Sequence, residues 1–363
     1  MQTLPNEVLA KVLCRLPVKN LLRLRCVSRS WLALISNPLF VKLHLKRSAK
    51  TKINLNLFLS YEGLCRVDFD SVEDSGDLLQ QMVIDYNPLR HQDYRTNIWG
   101  SCDGLLCISN VYNLSVFLLN PSTRKFIELP FIPVEVPNLP NLQTHCYYGF
   151  SSDNTNDDYK VVRLVVFRDD SGDAADYEVN VYSLRLNSWH KYEKFPNQYP
   201  TFDRIGNSIA GGAMHWVSRG EDDKCCIVAF DFRTGEYRVI PWPQYHGLIF
   251  IFTLSSLGGC LSLTCNYYSE EVEVWLLKEY GEGSEYWSKL ITMELVTIQV
   301  VRPVAYSKSG GKVLLELDYE TLVWYNLEQR SLEEDIRFHS TEDVIDAASC
   351  LESLVSVDVL RRL

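Results

Sequence analysis

A short β-branched run holding an aromatic or apolar pair recurs down most of the chain, each time followed by a turn and a second strand-like run. The clearest copies are residues 116–124, 181–189, 229–237, 274–278 and 323–331. Measured at Phe117, Tyr182, Phe230, Trp275 and Trp324, they are 65, 48, 45 and 49 residues apart. A weaker copy, Leu64-Cys65-Arg66-Val67-Asp68, places Val67 50 residues before Phe117. A period near 50 residues is that of a propeller blade. A glycine-marked strand precedes most units, at Gly104, Gly212, Gly259 and Gly311. Glycines there are expected to permit tight packing near a central axis. About six units fit the length. Residues 354–357 are expected to pair with 55–59 and close the ring, leaving few exposed strand edges. A two-sheet sandwich is the second reading of the same pattern.

Composition supports a folded chain. Of 363 residues, 46% are hydrophobic and 12% aromatic, enough for a large core. The longest apolar stretch, 247–257, has strand length, well short of the ~18 residues of a membrane span. Charge is segregated. Residues 1–50 hold ten Lys or Arg and only Glu7 as an acid, for a net of +9, whereas the remainder carries −19. Two charge regimes suggest two modules with different partners. The acidic body excludes wrapping nucleic acid, which needs Lys and Arg on the binding face. Eleven cysteines, and no apolar signal region in residues 1–20, read as a reduced intracellular chain. The basic N-terminus superficially resembles a transit peptide, but it carries ordered helix chemistry.

Residues 4–46 read as three or four short helices. Val8, Leu9, Val12, Leu13 and Leu16 follow one helical face, with Pro5 in the first turn and Glu7 at the positive end of the dipole. Pro17 ends that helix. A second is expected over about 18–28, with Leu21, Leu22, Leu24 and Val27 apolar and Lys19, Arg23, Arg25 and Arg29 wetter. Residues 31–35 form a third. Asn37-Pro38 caps a fourth, over 39–45. So small a bundle cannot hide its apolar surface alone. A partner or the following domain must cover part of it.

The residues that form this module carry a resemblance. Leu4-Pro5-Asn6-Glu7-Val8-Leu9, Leu13-Cys14-Arg15-Leu16-Pro17-Val18-Lys19-Asn20-Leu21-Leu22-Arg23, Arg25-Cys26-Val27-Ser28-Arg29-Ser30-Trp31 and Ile35-Ser36-Asn37-Pro38-Leu39-Phe40 resemble a plant-type F-box. The resemblance implies a module, residues 1–46, that binds a Skp-type adaptor and through it a cullin–RING ubiquitin ligase. It assigns the apolar contacts to Leu4, Pro5, Val8, Leu9, Leu13, Leu16, Pro17, Leu21 and Leu22. Some of these must also form the module's own core. A basic module suits an acidic adaptor, mainly by orienting encounter.

Residues 47–363 are similar to the F-box-associated, kelch-like β-propeller of plant F-box proteins. The matching stretches include Asn120-Pro121-Ser122-Thr123-Arg124, Asp158-Tyr159-Lys160-Val161-Val162-Arg163, Gly206-Asn207-Ser208 with His215-Trp216, and Arg302-Pro303. Within that family, 257–280 and 302–325 look closest to the type whose loss gives constitutive expression of pathogenesis-related genes. That type sends nucleotide-binding leucine-rich-repeat immune receptors to the proteasome. S-locus F-box proteins share the architecture. Gly211-Gly212-Ala213 and the acidic stretch 169–176 have no place in the pattern. The resemblance implies an α+β multidomain chain: a small N-terminal helical F-box, then an all-β propeller of about six blades.

Catalytic and metal signatures are weak. Cys102 and Cys107, and Cys260 and Cys265, have a C-x4-C spacing that puts side chains on opposite strand faces, and Cys225 and Cys226 also point apart. No paired C-x2-C sets follow. No helix-borne histidine pair, G-x-S-x-G elbow or phosphate-cradling loop is present. His215 beside Trp216 reads as a core-edge residue. The acidic stretches 153–158, 169–176 and 221–223 read as solvated turns, and 153–158 lacks the Gly and terminal Glu of an EF-hand loop. Loops 130–141 and 196–204 are the better candidates for target recognition. The reading is a non-catalytic substrate receptor of an SCF-type ligase, in cytoplasm and nucleus, with no cofactor, no metal, no nucleic acid and no membrane span. The alternatives are a propeller hydrolase or oxidase behind a targeting segment, and a non-degradative scaffold.

Overall fold

The computed structural model describes residues 5–52, 54–60, 63–74, 82–89, 96–110, 115–201, 208–220, 224–246, 249–281, 283–295, 298–336 and 346–357. Leu4, Gly206, Asn207, the stretch 221–223 and the last part, 202–204, of the candidate loop 196–204 lie outside them.

Four helices open the chain: α1 (Asn6–Leu13), α2 (Val18–Leu24), α3 (Arg29–Ile35) and α4 (Pro38–Thr51). Their boundaries follow local chemistry. Pro5 and Pro17 hold the extended N-cap positions of α1 and α2. The Ser28 hydroxyl accepts the Trp31 N–H at 3.2 Å and starts α3. That cap, in extended backbone, stops α2 at Leu24, short of Ser28 where the apolar pattern runs out. Asn37 accepts the Leu39 N–H at 2.8 Å, with Pro38 in the first turn of α4. The fourth helix runs past Leu45 to Thr51, because no breaker intervenes before Lys52 turns left-handed at φ 50°. Leu13, Cys14, Val18, Leu21, Ile35 and Phe40 form the bundle's interior.

The rest is a six-bladed β-propeller. Blade 1 contains β1 (Leu55–Ser60), β2 (Leu64–Asp68) and β3 (Met82–Val83), with a short helix α5 (Phe69–Asp74) after β2. Blade 2 contains β4 (Thr96–Cys102), β5 (Leu105–Asn110), β6 (Val116–Asn120) and β7 (Lys125–Glu128). Blade 3 is longer: β8 (Gln143–Asp153), β9 (Asp158–Arg168), β10 (Ala174–Ser183) and β11 (Ser188–Tyr192). In blade 4, β12 (Gln198–Pro200) and β13 (Ile209–Ala210) pair with opposite ends of β14 (Ala213–Gly220), followed by β15 (Cys225–Asp231) and β16 (Tyr237–Ile240). Blade 5 is β17 (Ile249–Leu257), β18 (Cys260–Tyr267), β19 (Glu271–Lys278) and β20 (Tyr286–Glu294). Blade 6 is β21 (Val301–Tyr306), β22 (Lys312–Leu317), β23 (Thr321–Asn326) and β24 (Ser331–Asp335). Strand β25 (Asp346–Leu351) returns as the first strand of blade 1.

Each aromatic or apolar unit of the sequence repeat falls on a third strand: β2, β6, β10, β15, β19 and β23. The 65-residue step comes from blade 3, whose first two strands are 11 residues each. The marking glycines take a different role from the one expected. They sit in the hairpin turn between first and second strands. Gly212 and Gly259 have φ of 77° and 84° and open space around a would-be Cβ, so backbone handedness alone requires them. Gly211, unplaced by the sequence, lies against the Tyr280 ring, where a Cβ would sit 2.1 Å from a ring carbon.

The core is not one cluster but six, each between neighbouring blades. Leu105, Leu118, Tyr148, Val161 and Tyr182 join blades 2 and 3. Val162, Val179, Trp216 and Phe230 join blades 3 and 4. Alternation within β9 explains the pair, since Val161 faces one neighbour and Val162 the other.

The ring closes through β25, not through residues 354–357. Leu57 opposes Ser349 and Leu59 opposes Ala347, six residue pairs in all along β1 and β25. A buried ionic knot reinforces the closure. Arg302 on β21 pairs with Glu316 on β22, and reaches Asp346 at 3.1 Å and the Ala347 carbonyl at 3.0 Å. Asp346 in turn accepts the Ile98 N–H of blade 2 at 2.9 Å. Burial disfavours the Arg302 charge, but the two carboxylates outweigh it and raise its pKa. Replacing Arg302 by Leu leaves the Glu316 carboxylate buried without its cation. It should cost about 3–5 kcal/mol in urea unfolding, whereas Arg302→Leu with Glu316→Leu should cost much less. Equal losses for the single and double variants would show that the pairing contributes nothing.

Candidate functional site

The helical module separates its apolar residues into two sets. Leu13 and Leu21 are buried in its own core, and Leu9, Leu16 and Leu22 are partly buried against it. Pro5, Val8 and Pro17 are exposed. The structure therefore leaves the expected contact residues Pro5, Val8 and Pro17 free and ties Leu13 and Leu21 into the interior. Other side chains reach solvent that the motif did not mark: Val12 at 54%, Leu32 at 46% and Leu39 at 78% exposure. The spacing of Val8 with Val12, and of Leu39 with Leu43, four residues apart on one helix, is the signal that finds them. Lys11, Arg15, Lys19 and Arg23 are exposed on the same helices and the turn between them. The module thus offers apolar side chains in a basic surround, the composition of a docking face rather than of a sealed cap.

The module occupies one face of the propeller. Val41 and Leu45 of α4 pack on the blade 2–3 core, and Lys42 pairs with Asp157 in the β8–β9 turn at 2.6 Å. That turn joins first and second strands, so the module covers the face bearing these hairpins. The opposite face carries the second-to-third strand turns and the loops between blades.

On that far side the loop 129–142 is held in place. Arg163, locked to Glu178 at 2.7 Å, donates to the carbonyls of Ile132 and Pro133 at 2.7 and 3.2 Å. The Trp189 indole donates to the Pro130 carbonyl at 2.7 Å, and Asn141 to Asp170 at 3.0 Å. Four prolines restrict its backbone further. Phe131 is nonetheless 73% exposed, with Val136 and Leu139 also in solvent. A rigid loop presenting apolar side chains has the form of a recognition element. In the second expected loop, Tyr199 on β12 is exposed and its ring meets Tyr177 edge-on.

The acidic stretches divide. Asp153 and Asp158 are buried, not solvated. Asp153 accepts the N–H groups of Thr155 and Asn156, while Asp158 accepts the Ser183 hydroxyl and the Arg185 N–H. They close the β8–β9 and β10–β11 turns. Asp169 likewise accepts the Ser171 and Asp173 N–H groups within its own turn. Among the described residues, no group of three side chains is arranged to hold a metal ion. All eleven cysteines are free. Cys225 and Cys226 face different blade interfaces, as do Cys260 and Cys265. Cys102 and Cys107 lie instead on the two arms of the β4–β5 hairpin and border the same blade 2–3 core.

His215 is fully buried. Its Nδ1 lies 2.8 Å from the Ser208 carbonyl and its Nε2 2.6 Å from the Tyr280 hydroxyl. Arg238 stacks over the Tyr280 ring at 4.4 Å and pairs with Glu285. Both imidazole nitrogens are therefore engaged, Nδ1 within blade 4 and Nε2 in tying blade 4 to blade 5. Burial pushes the His215 pKa down to about 4. The unfolded chain binds this proton near pH 6.5 and the folded one only near 4, so the associated stability is present above pH 6.5 and is lost as pH falls towards 4. At about 1.4 kcal/mol per pKa unit, the full loss is on the order of 3–4 kcal/mol. His215→Gln should flatten the dependence of the urea midpoint on pH between about 7 and 4.5. An unchanged slope would assign that dependence to other groups.

A folded helical module with apolar side chains outside, seated on a six-bladed ring, defines a two-part docking protein. Residues 1–43 match the F-box domain and residues 55–354 the F-box associated β-propeller domain, so the chain belongs to the F-box proteins that carry this propeller. It is 34% identical to the F-box protein CPR1 of Arabidopsis thaliana over 359 residues, covering 92% of this chain and 84% of the relative. It is 31% identical to the Arabidopsis F-box protein At4g22390, over 92% of this chain and 85% of that one. The Arabidopsis F-box/kelch-repeat protein At3g23880 is 31% identical over 86% of this chain and 85% of its own.

Proposed function

We propose that this protein is the substrate-recognition subunit of an SCF-type ubiquitin ligase. Its helical module docks on a Skp-type adaptor, and its propeller holds a target protein for ubiquitination and proteasomal degradation. The observation that carries the reading is the apolar surface of α1, α3 and α4, left in solvent by a module whose core is already complete. An apolar helical surface of this kind is an ordinary partner for a groove. The adaptor contacts are Pro5, Val8 and Pro17 of the expected set, joined by Val12 and Leu39. Leu13 and Leu21 act by keeping the module folded. Packing of α4 on blades 2 and 3 favours a retained module over a cleaved leader.

The chain contributes position rather than chemistry. Holding a target lysine near a charged ubiquitin carrier raises its effective concentration. The histidine on the conspicuous His-Trp strand has both nitrogens engaged, which supports a non-catalytic role. We assign the target surface to the face opposite the module, with loop 129–142 at its edge. The stretches 257–280 and 302–325 resemble the type that acts on nucleotide-binding leucine-rich-repeat immune receptors, and we take such a receptor, met in cytoplasm and nucleus, as the target.

Val12→Asp and Leu39→Asp should weaken adaptor binding by about tenfold or more in calorimetry, with thermal unfolding of the free protein unchanged. Leu13→Ala should instead cost about 2–5 kcal/mol of stability. Wild-type adaptor affinity in both exposed-site variants would remove the assigned face. In plant cells, loss of the protein should lengthen the half-life of the receptor target severalfold. An unchanged half-life in cells where the adaptor complex forms would overturn the target while sparing the docking face.

A further inference from the structure

After the closing strand, residues 352–357 run through the seam between the helical module and the propeller. Leu354 sits in the module's core with Leu13, Val18, Leu21, Ile35 and Phe40. Val355 and Val357 pack into the blade 2–3 core with Leu105, Leu118 and Tyr148. The adjacent side chains Leu354 and Val355 thus enter different clusters, so one short stretch is shared by two hydrophobic cores.

Blade 2 grips its backbone. The Asn120 amide donates to the Ser353 carbonyl at 3.2 Å, to the Ser353 hydroxyl at 3.3 Å and to the Val355 carbonyl at 2.7 Å. Asn120 Oδ1 meanwhile accepts the Ser122 and Thr123 N–H groups, which fixes the amide's orientation. The Ser353 N–H donates to the Ser122 hydroxyl at 3.2 Å. Gly104 makes room: a Cβ there would lie 2.4 Å from Ser353 Cβ and 2.7 Å from the Leu351 carbonyl. The Asn120-Pro121-Ser122 motif is thereby a clamp on a segment more than 230 residues away in sequence.

We propose that residues 352–357 are a strap that fixes the orientation of the helical module on the propeller, with Leu354 and Asn120 as positioning residues for ubiquitin transfer. The role in transfer rests on the adaptor-docking reading above. The strap itself rests only on the packing. Without it, the joint is held by one side of α4 and the short connection between α4 and β1. With it, the distance from adaptor to target face is set by two interlocked cores.

Hydrogen–deuterium exchange on the full chain tests the strap without any partner. Asn120→Ala and Leu354→Asp should each speed exchange in α1–α3 by about tenfold or more while blades 4 and 5 keep their protection. Leu354→Met should restore wild-type protection. The second readout is a ligase reconstituted with a Skp-type adaptor, cullin–RING and charged ubiquitin carrier. Self-ubiquitination should fall on a small set of lysines in the wild type and spread to more in Asn120→Ala, with adaptor affinity within about twofold. If blade 2 loosens in Asn120→Ala, Leu354→Asp decides, because that side chain touches no propeller core. Unchanged exchange in the helices of both variants, or an identical lysine pattern, overturns the proposal. If the wild type fails to bind adaptor, the docking reading fails instead, and the exchange result still judges the strap.

Discussion

The pairing of β25 with β1 is the contact on which the rest of the molecule depends. It joins residues nearly three hundred positions apart and converts an open row of sheets into a ring. An open propeller would present unpaired strands at two ends and lose the cores between blades 6 and 1 and between 1 and 2. Nothing local favours this pairing, so its loop-closure entropy must be offset by the buried contacts it completes. The Arg302–Glu316–Asp346 knot lies at that junction, where it joins blade 6, the closing strand and blade 2.

The same closure decides where the helical module sits. Leaving β25, the chain is delivered to the face on which α4 ends, and Leu354 enters the bundle while its neighbours enter blades 2 and 3. Orientation between the two halves is therefore a consequence of ring closure. This suits a protein that acts by holding one partner at a set distance from another. Its chemistry lies in surfaces: exposed apolar side chains among cations on the helices, and a proline-stiffened loop on the far side. The buried titratable groups, such as His215 and Arg163, serve to hold strands and loops in place.

Particular residues show how much could be read in advance. Third strands were legible because aromatic and β-branched pairs repeat at blade spacing. The glycines were legible as markers but not as turn residues, since positive φ at Gly212 or Gly259 is a property of the hairpin. Of the helical residues left in solvent, the motif named Pro5, Val8 and Pro17 alongside the buried Leu13 and Leu21. Periodicity cannot say which side of a short amphipathic helix faces inward when the bundle's arrangement is unknown. Asp153 and Asp158 read as solvated because their burial depends on the turns they cap. Gly211 had no reading until Tyr280, 69 residues on, was seen lying against it.

What the amino-acid order determined by itself was local and repetitive: the Asn37 cap, the blade period, charge segregation and the motifs through which both modules resemble their families. These rest on backbone sterics, hydrogen bonding over a few residues and alternation of side chains, all of which are written in neighbouring positions. What only tertiary structure decided was which strand closes the ring, which helical residues stay outside, and that Leu354 belongs to the N-terminal module. Those depend on contacts between distant segments, where many pairings satisfy the same pattern and packing density selects one.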